Sequence, residues 1–354
     1  MECIRDSLLQ NCNRENAVPG MGLHMDSVRM MEPWRRLKAK SFRQLVRLFL
    51  LKAWPLSILG RRYYRYCYSP DRYQQLNQNA SRVLAEQRTE LTERQATLVN
   101  ELRKEGAAQT QFSELIPDSS LTDLTAHVEN LLNEPRARAK IENRLNHDDA
   151  KWYVVRAFGH GVDMELPPWL SGIVLHPNLL AVISGYLGFC PRLTYVDVWH
   201  NFPVSNDDPD IDPEHWHRDH EDRHVFKFFL YLRDIDEGAG PHQYLRRTHP
   251  YGEHFGLFPH SPPLGTYPPD AEVEEAVPRE LYKVCTGTAG SMVLADTVGF
   301  HRGGRCAERP RTLLTATYAS NLAIDPNRYR LADAAQYDAL DAAGRYAIRA
   351  ERAA

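Results

Sequence analysis

The chain has 354 residues, enough for one large enzyme domain with an appendage or for two modest domains at roughly 150 residues each. Its 43 Lys and Arg against 46 Asp and Glu leave a formal charge of -3, which argues against a basic surface for nucleic acid or an anionic membrane and points to a small-molecule partner. Cys3, Cys12, Cys67, Cys190, Cys285 and Cys306 are scattered without a C-x-x-C pair, so neither a disulfide framework nor a thiolate zinc site is expected, and a reducing cytoplasm fits.

The N-terminus, Met1-Glu2-Cys3-Ile4-Arg5-Asp6, lacks a basic segment followed by an apolar run and a small-residue cleavage site, so secretion is not expected. Residues 1–40 carry Gly20, Gly22 and several methionines without steady periodicity and read as a loosely ordered leader. The most hydrophobic stretch, Leu45 to Leu59, is interrupted by Arg47, Lys52 and Pro55 and falls short of the roughly 20 apolar residues that span a bilayer. Basic residues on both sides, Lys38 and Arg61 among them, are compatible with an interfacial helix, but packing on the chain's own domain is the expectation and membrane contact is not. From Ser41 to Leu102, and again from Leu121 to Leu145, apolar residues recur every three or four positions, so residues 41–150 are expected to form a helical N-terminal region packed on the core.

After Lys151 the texture changes to short runs of Val, Tyr, Phe, Leu and Thr between Gly, Pro and Asp clusters. Strands are expected over Leu193–Phe202, His215–Asp219, Val225–Leu232, Ser291–His301 and Thr312–Asn321, with a helix over Asn178–Leu187. Many short strands without a βαβ rhythm indicate a sandwich, barrel or jelly roll over residues 151–325. Residues 326–354, rich in Ala and Arg from Ala332 onward, are expected to close the chain as a surface helix.

The chemistry concentrates in Glu214-His215-Trp216-His217-Arg218-Asp219-His220-Glu221-Asp222, where three histidines and four carboxylates occupy nine residues. On an extended backbone residues two apart share a face, so His217 and Asp219 can offer an imidazole nitrogen and a carboxylate oxygen to one ion. His220-x-Asp222 repeats the spacing on the opposite face, and His215-x-His217 would offer two imidazoles. A third ligand is expected from His301, at the end of an apolar strand and just before Gly303-Gly304. Two histidines and one carboxylate leave three coordination positions open, the arrangement of iron(II) oxygenases. Arg311 follows His301 by ten residues, a hairpin's length, and its planar guanidinium suits the distal carboxylate of a diacid such as 2-oxoglutarate; Arg309 is its nearest rival. Lys227 shares a strand face with Phe229 and Tyr231 and is either a second positive contact for that cosubstrate or an edge residue. Trp199, His200 and Asn201 read as core ahead of pocket lining.

Taken in order, Trp216-His217-Arg218-Asp219, the run Lys227 to Asp234 leading to Gly240-Pro241, Thr248-His249, the run Gly290 to His301, and Arg309-Pro310-Arg311 resemble the phytanoyl-CoA dioxygenase family over about Leu193 to Ala319. The resemblance implies a mixed α and β fold with a double-stranded β-helix (jelly roll, cupin-like) core, flanked by the helical N-terminal region and the C-terminal helix. It further implies iron(II) on His217, Asp219 and His301, 2-oxoglutarate anchored by Arg311, O2 as oxidant, and a structural His249. Leu313 departs from the pattern, standing where some branches carry a second hydroxyl contact to the cosubstrate. An intact Asp219 favours hydroxylation or another oxygenase outcome over halogenation, since related halogenases replace this carboxylate with a small residue to admit chloride. The expected activity is that of an iron(II)- and 2-oxoglutarate-dependent dioxygenase that hydroxylates an unactivated C–H bond of a specialised metabolite or amino-acid-like compound and releases succinate and CO2. The competing readings are a non-catalytic jelly-roll ligand-binding module and a hydrolase using zinc on the same ligands.

Overall fold

A computed structural model describes residues 56–87, 90–143, 151–159, 161, 163–205, 207–208, 210–260, 265–324, 326–332 and 334–348. The expected leader and the apolar stretch up to Pro55 lie outside them.

Helices α1 (Leu56–Cys67), α2 (Pro70–Leu76), α3 (Gln78–Gln87) and α4 (Glu93–Glu105) come first. Local chemistry sets the ends of α4. The Thr92 hydroxyl accepts from the Gln95 backbone N–H, the Gln95 side chain accepts from the Thr92 N–H, and Gly106 stops the helix at φ 84°. A Cβ on Gly106 would collide with the Tyr244 hydroxyl and the His249 ring, so only glycine lets the chain turn here directly into β1 (Ala107–Gln111). This strand was missed in the sequence. Ala-Ala-Gln-Thr-Gln has weak strand character of its own and is extended because it completes an edge beside a later strand.

The chain continues through α5 (Phe112–Leu115), α6 (Leu121–Asn133), α7 (Pro135–Asn143), β2 (Val154–Phe158), β3 (Asp163–Leu166), α8 (Pro168–Val174), α9 (Pro177–Leu187) and β4 (Arg192–Asn201). Then come β5 (Phe226–Tyr231), β6 (His242–Leu245), α10 (Asp270–Ala276), β7 (Tyr282–Cys285), β8 (Ser291–Asp296), β9 (His301–Gly303), β10 (Arg311–Ala319), β11 (Arg328–Leu331), α11 (Ala334–Ala339) and α12 (Ala342–Ile348). The expected single C-terminal helix is thus two short ones.

The strands form an antiparallel six-stranded sheet in the order β1-β8-β5-β10-β4-β2, a three-stranded sheet β7-β6-β9, and a separate pair of β3 with β11. The chain alternates between the first two: β4 and β5 in the large sheet, β6 and β7 in the small one, β8 back in the large, β9 in the small, β10 in the large. That alternation is the double-stranded β-helix. Between β4 and β5 the segment carrying His217 lies alongside β9, completing the small sheet's edge.

Side-chain parity separates two interiors. In β5, Phe226, Phe228 and Leu230 pack with Leu98, Leu102 and Ile183 of the helical layer, whereas Lys227, Phe229 and Tyr231 face the small sheet. Slipping β5 by one residue would move three apolar side chains into the polar interior between the sheets and drive an ammonium into the helical core, so the register is fixed. Pro168–Leu187 is long and apolar enough to cross a membrane. It is two helices broken at Pro177, and Leu170, Ile173, Leu179, Leu180 and Ile183 lie in that same core.

Three sequence expectations need correction. The run Ser291–His301 is not one strand: β8 ends at Asp296, residues 297–300 turn, and β9 begins at His301 in the other sheet. His215–Asp219 is not a regular strand either, since it is held by isolated bridges of His217 to His301 and Arg218 to Thr266. His301 and Arg311 are not joined by a hairpin, because β9 and β10 belong to different sheets and the intervening loop crosses between them. Each error has one cause: pairing within a sequence window cannot reveal a strand that changes sheets.

Asp296 holds that change of sheet in place. Its buried carboxylate accepts from the Tyr186 hydroxyl at 2.8 Å, from the Val298 N–H at 3.1 Å and from the Val225 N–H at 3.3 Å, and pairs with His224 Nδ1 at 2.7 Å. Replacing Asp296 by Ala leaves these donors buried and unpaired. Urea unfolding of Asp296→Ala is expected to show a loss of about 3 kcal/mol or more, and an unchanged midpoint would contradict this role.

Candidate metal centre

His217, Asp219 and His301 are all buried, and their ligand atoms lie within 4.8 Å of one another. Nε2 of His217 is 4.0 Å from Asp219 Oδ1, and Nε2 of His301 is 3.7 Å from Asp219 Oδ2. Neighbouring ligands each ~2.1 Å from one ion stand ~3 Å apart, so a contraction of about 1 Å closes the set.

Backbone geometry presents these atoms correctly. His217 and His301 exchange backbone hydrogen bonds, His217 N–H to His301 carbonyl at 3.0 Å and the reverse at 3.1 Å, so their rings stand on one face with centroids 4.2 Å apart. Each Nδ1 lies against a carbonyl two residues earlier in the chain: His217 on His215 at 2.8 Å, His301 on Gly299 at 3.0 Å. A carbonyl only accepts, so Nδ1 carries the proton and both Nε2 lone pairs point toward Asp219. The donor set suits a divalent metal ion.

Burial lowers the His301 imidazole to about 3, with His217 adding to the effect, and burial likewise lowers His217. Burial alone would raise the Asp219 carboxyl, but Lys227 and the two imidazoles outweigh it and hold the group well below the usual carboxylate range. Lys227 Nζ is 2.6 Å from Asp219 Oδ2. Its strand, β5, lies between β8 and β10, so it is no edge residue.

Arg311 is 6% exposed and starts β10 on the face shared with Leu313 and Tyr231. Nη1 donates to the Gly304 carbonyl at 3.1 Å, while Nε is buried with no partner. Arg309 points outward to Asp236 and is more than half exposed. Asn201 stands opposite Arg311, and Trp199 opposite Leu313, on the inner face. His200 lies on the other face and contacts the Thr312 hydroxyl at 2.9 Å. The competing clips are engaged elsewhere. His215 Nδ1 pairs with Asp270 at 3.2 Å, and Asp222 accepts from Tyr73 and from the Ser320 N–H. His249 Nε2 lies 3.0 Å from the Arg103 carbonyl, outside the metal centre.

Four positions escaped sequence reasoning. Arg218, between two ligands, is fully buried and donates to the carbonyls of Thr248, Val298, Leu257 and Phe255 at 2.5, 2.6, 2.9 and 3.3 Å. Its guanidinium lies 4.1 Å from the Phe300 ring centroid, and burial lowers it to about 10. Tyr267 stacks on His217 at 5.2 Å and 6°, though half exposed. His242 is buried beside His301, with ring centroids 5.6 Å apart. Arg156 forms an ion pair with Asp197, one strand from Lys227's partner β10. Alternation in Tyr195-x-Asp197-x-Trp199 and Lys227-x-Phe229-x-Tyr231 was the available signal for the inner face. Nothing local marks His242.

Between β4 and β5, two of the acidic side chains share one cation. Arg305 donates to Asp210 and Glu214 side chains and to the Ser205 and Asp208 carbonyls.

No family model matches the chain, and none of the curated proteins does. Among solved structures it is similar to the non-heme alpha ketoglutarate dependent epimerase SnoN from nogalamycin biosynthesis, with 15% identity and a TM-score of 0.43 over 64% of this chain and 83% of that one. EctD from S. alaskensis with bound Fe gives 15% identity and a TM-score of 0.43 over 65% and 77%. HygX from Streptomyces hygroscopicus, with nickel, 2-oxoglutarate and hygromycin B bound, gives 17% identity and 0.40 over 65% and 88%.

Arg218→Met keeps the bulk but abandons four carbonyls, so we expect a loss of about 3 kcal/mol or more in chemical denaturation, with metal affinity falling alongside it. The histidines also set a pH dependence for the metal-free protein. Unfolded histidines take up protons below about pH 6.5, whereas folded His217 and His301 resist, so the unfolded state binds more protons and stability falls with pH in that window. Denaturation midpoints measured from about pH 7.5 to 5 should drop by up to about 1.4 kcal/mol per pH unit per histidine, and His301→Asn should lessen the slope.

Proposed function

We propose that the protein is an iron(II)- and 2-oxoglutarate-dependent oxygenase of the phytanoyl-CoA dioxygenase type that hydroxylates a C–H bond of a small molecule. The observation that carries the reading is the donor set His217, Asp219 and His301 within 4.8 Å, sharing one interior with a buried, under-partnered guanidinium at Arg311. Two imidazoles and a carboxylate on one face suit iron(II) and leave positions for cosubstrate and O2. When bound, the metal and 2-oxoglutarate supply O2 activation with release of CO2 and succinate.

The chain's own groups position and exclude. The tautomers fixed by His215 and Gly299 keep both Nε2 atoms available without loss of a proton. Lys227 neutralises one oxygen of Asp219 and, in this reading, also faces the carboxylate end of the cosubstrate next to the metal. Arg311 grips the distal carboxylate through paired N–H groups. Tyr267 covers His217 on the open side and forms a wall against which substrate rests. Among the described residues, Cys67, Cys190, Cys285 and Cys306 are buried free thiols and fit catalysis in the reducing cytoplasm. A zinc hydrolase would use the same ligands but gives Arg311 no task.

Anaerobic protein given iron(II) and 2-oxoglutarate should develop a weak visible charge-transfer band, and admitting air should yield succinate. His217→Ala should abolish the band, and Arg311→Ala should weaken 2-oxoglutarate binding by about 2 kcal/mol or more. Binding without succinate would favour a non-catalytic module; no band, together with zinc-dependent hydrolysis, would favour the hydrolase.

A further inference from the structure

His242 is a buried polar side chain without a task in the reading above. It opens β6 opposite Gly303 of β9, its side chain on the inner face that also carries Tyr244. Phe229 stacks on the imidazole with centroids 4.2 Å apart and 26° between planes. Nε2 is buried and has no hydrogen-bond partner. Leaving such a group unpaired costs about 1–3 kcal/mol, so a ligand is the economical explanation.

The neighbourhood shows which ligand. Gly303, the ladder partner of His242, is so close to Arg311 that a Cβ there would lie 3.5 Å from Nη2. Facing residues in an antiparallel ladder stand about 5 Å apart, which places the guanidinium and the imidazole in one corner. The Tyr231 hydroxyl accepts from the His242 N–H at 3.3 Å and donates to the Cys285 carbonyl at 2.6 Å, so it is already committed. Leu313, opposite Tyr231, offers only carbon. Two buried nitrogens without a partner therefore remain in that corner, Arg311 Nε and His242 Nε2, with no acidic side chain bonded to either among the described residues.

We propose that His242 and Arg311 form one carboxylate subsite, in which the Nε2–H of His242 and the Nε–H of Arg311 both donate to the distal carboxylate of the diacid cosubstrate. This rests on the oxygenase reading and makes His242 a determinant of diacid over monoacid. Phe229 fixes the ring plane, and the imidazole supplies the second donor that Leu313 lacks.

The test titrates the iron(II) charge-transfer band anaerobically with 2-oxoglutarate and with 2-oxopentanoate, which has the same chain but ends in a methyl group. His242→Leu should weaken 2-oxoglutarate binding roughly tenfold and leave 2-oxopentanoate unchanged. His242→Gln, which keeps an N–H donor, should recover most of the loss. If the leucine variant does not fold, His242→Ala should regain tight 2-oxoglutarate binding on addition of imidazole. Equal loss for both acids, or no loss for either, overturns the subsite while the oxygenase reading stands. Wild-type protein that binds neither acid overturns both.

Discussion

The reciprocal backbone pairing of His217 with His301 is the interaction on which the site depends. These residues are 84 positions apart in sequence, yet two hydrogen bonds of 3.0 and 3.1 Å fix their Cα atoms opposite one another and set both rings on the inner face. Asp219 then needs only the strand period of two to reach the same face. Its N–H donates to the Thr297 carbonyl at 2.9 Å, anchoring it to the turn between β8 and β9. The ligand segment is thus held on both sides by the stretch that delivers the third ligand.

Such an arrangement gathers charge in a place shielded from water, where each ion must find a partner. Asp219 is balanced by Lys227, and Asp197 by Arg156 further along the same face. Arg218 shows a different solution: with no carboxylate at hand, it distributes its charge over four carbonyls and two aromatic rings. Because those carbonyls belong to the long connection after β6 and to the turn before β9, one side chain ties together the pieces that surround the ligands. Arg218 and Arg311 each keep a buried Nε–H without a partner, but Arg218 has four carbonyl acceptors for its other N–H groups where Arg311 has the Gly304 carbonyl.

Charge on the nearby loop has a more ordinary role. Between β4 and β5, Arg305 pairs with Asp210 and Glu214 and donates to two loop carbonyls. Beside His217, Tyr267 presents an exposed aromatic face.

The amino-acid sequence by itself determined the residue types of the candidate ligands and the faces of the strands. His-x-Asp, the isolated His301 after an apolar run, Arg311 and the alternation in β5 are local patterns, readable because strand parity has a period of two. It did not determine which sheet each strand joins. An apolar run such as Ser291 to Phe300 looks continuous in sequence, and only the hydrogen bonds of Asp296 and the pairing with β6 divide it into strands of different sheets. The same applies to β1, whose polar pentapeptide is extended only because β8 offers an open edge. His242 was invisible for a related reason: a histidine acquires its meaning from what surrounds it, and Phe229, His301 and Arg311 come together around it only when the two sheets close.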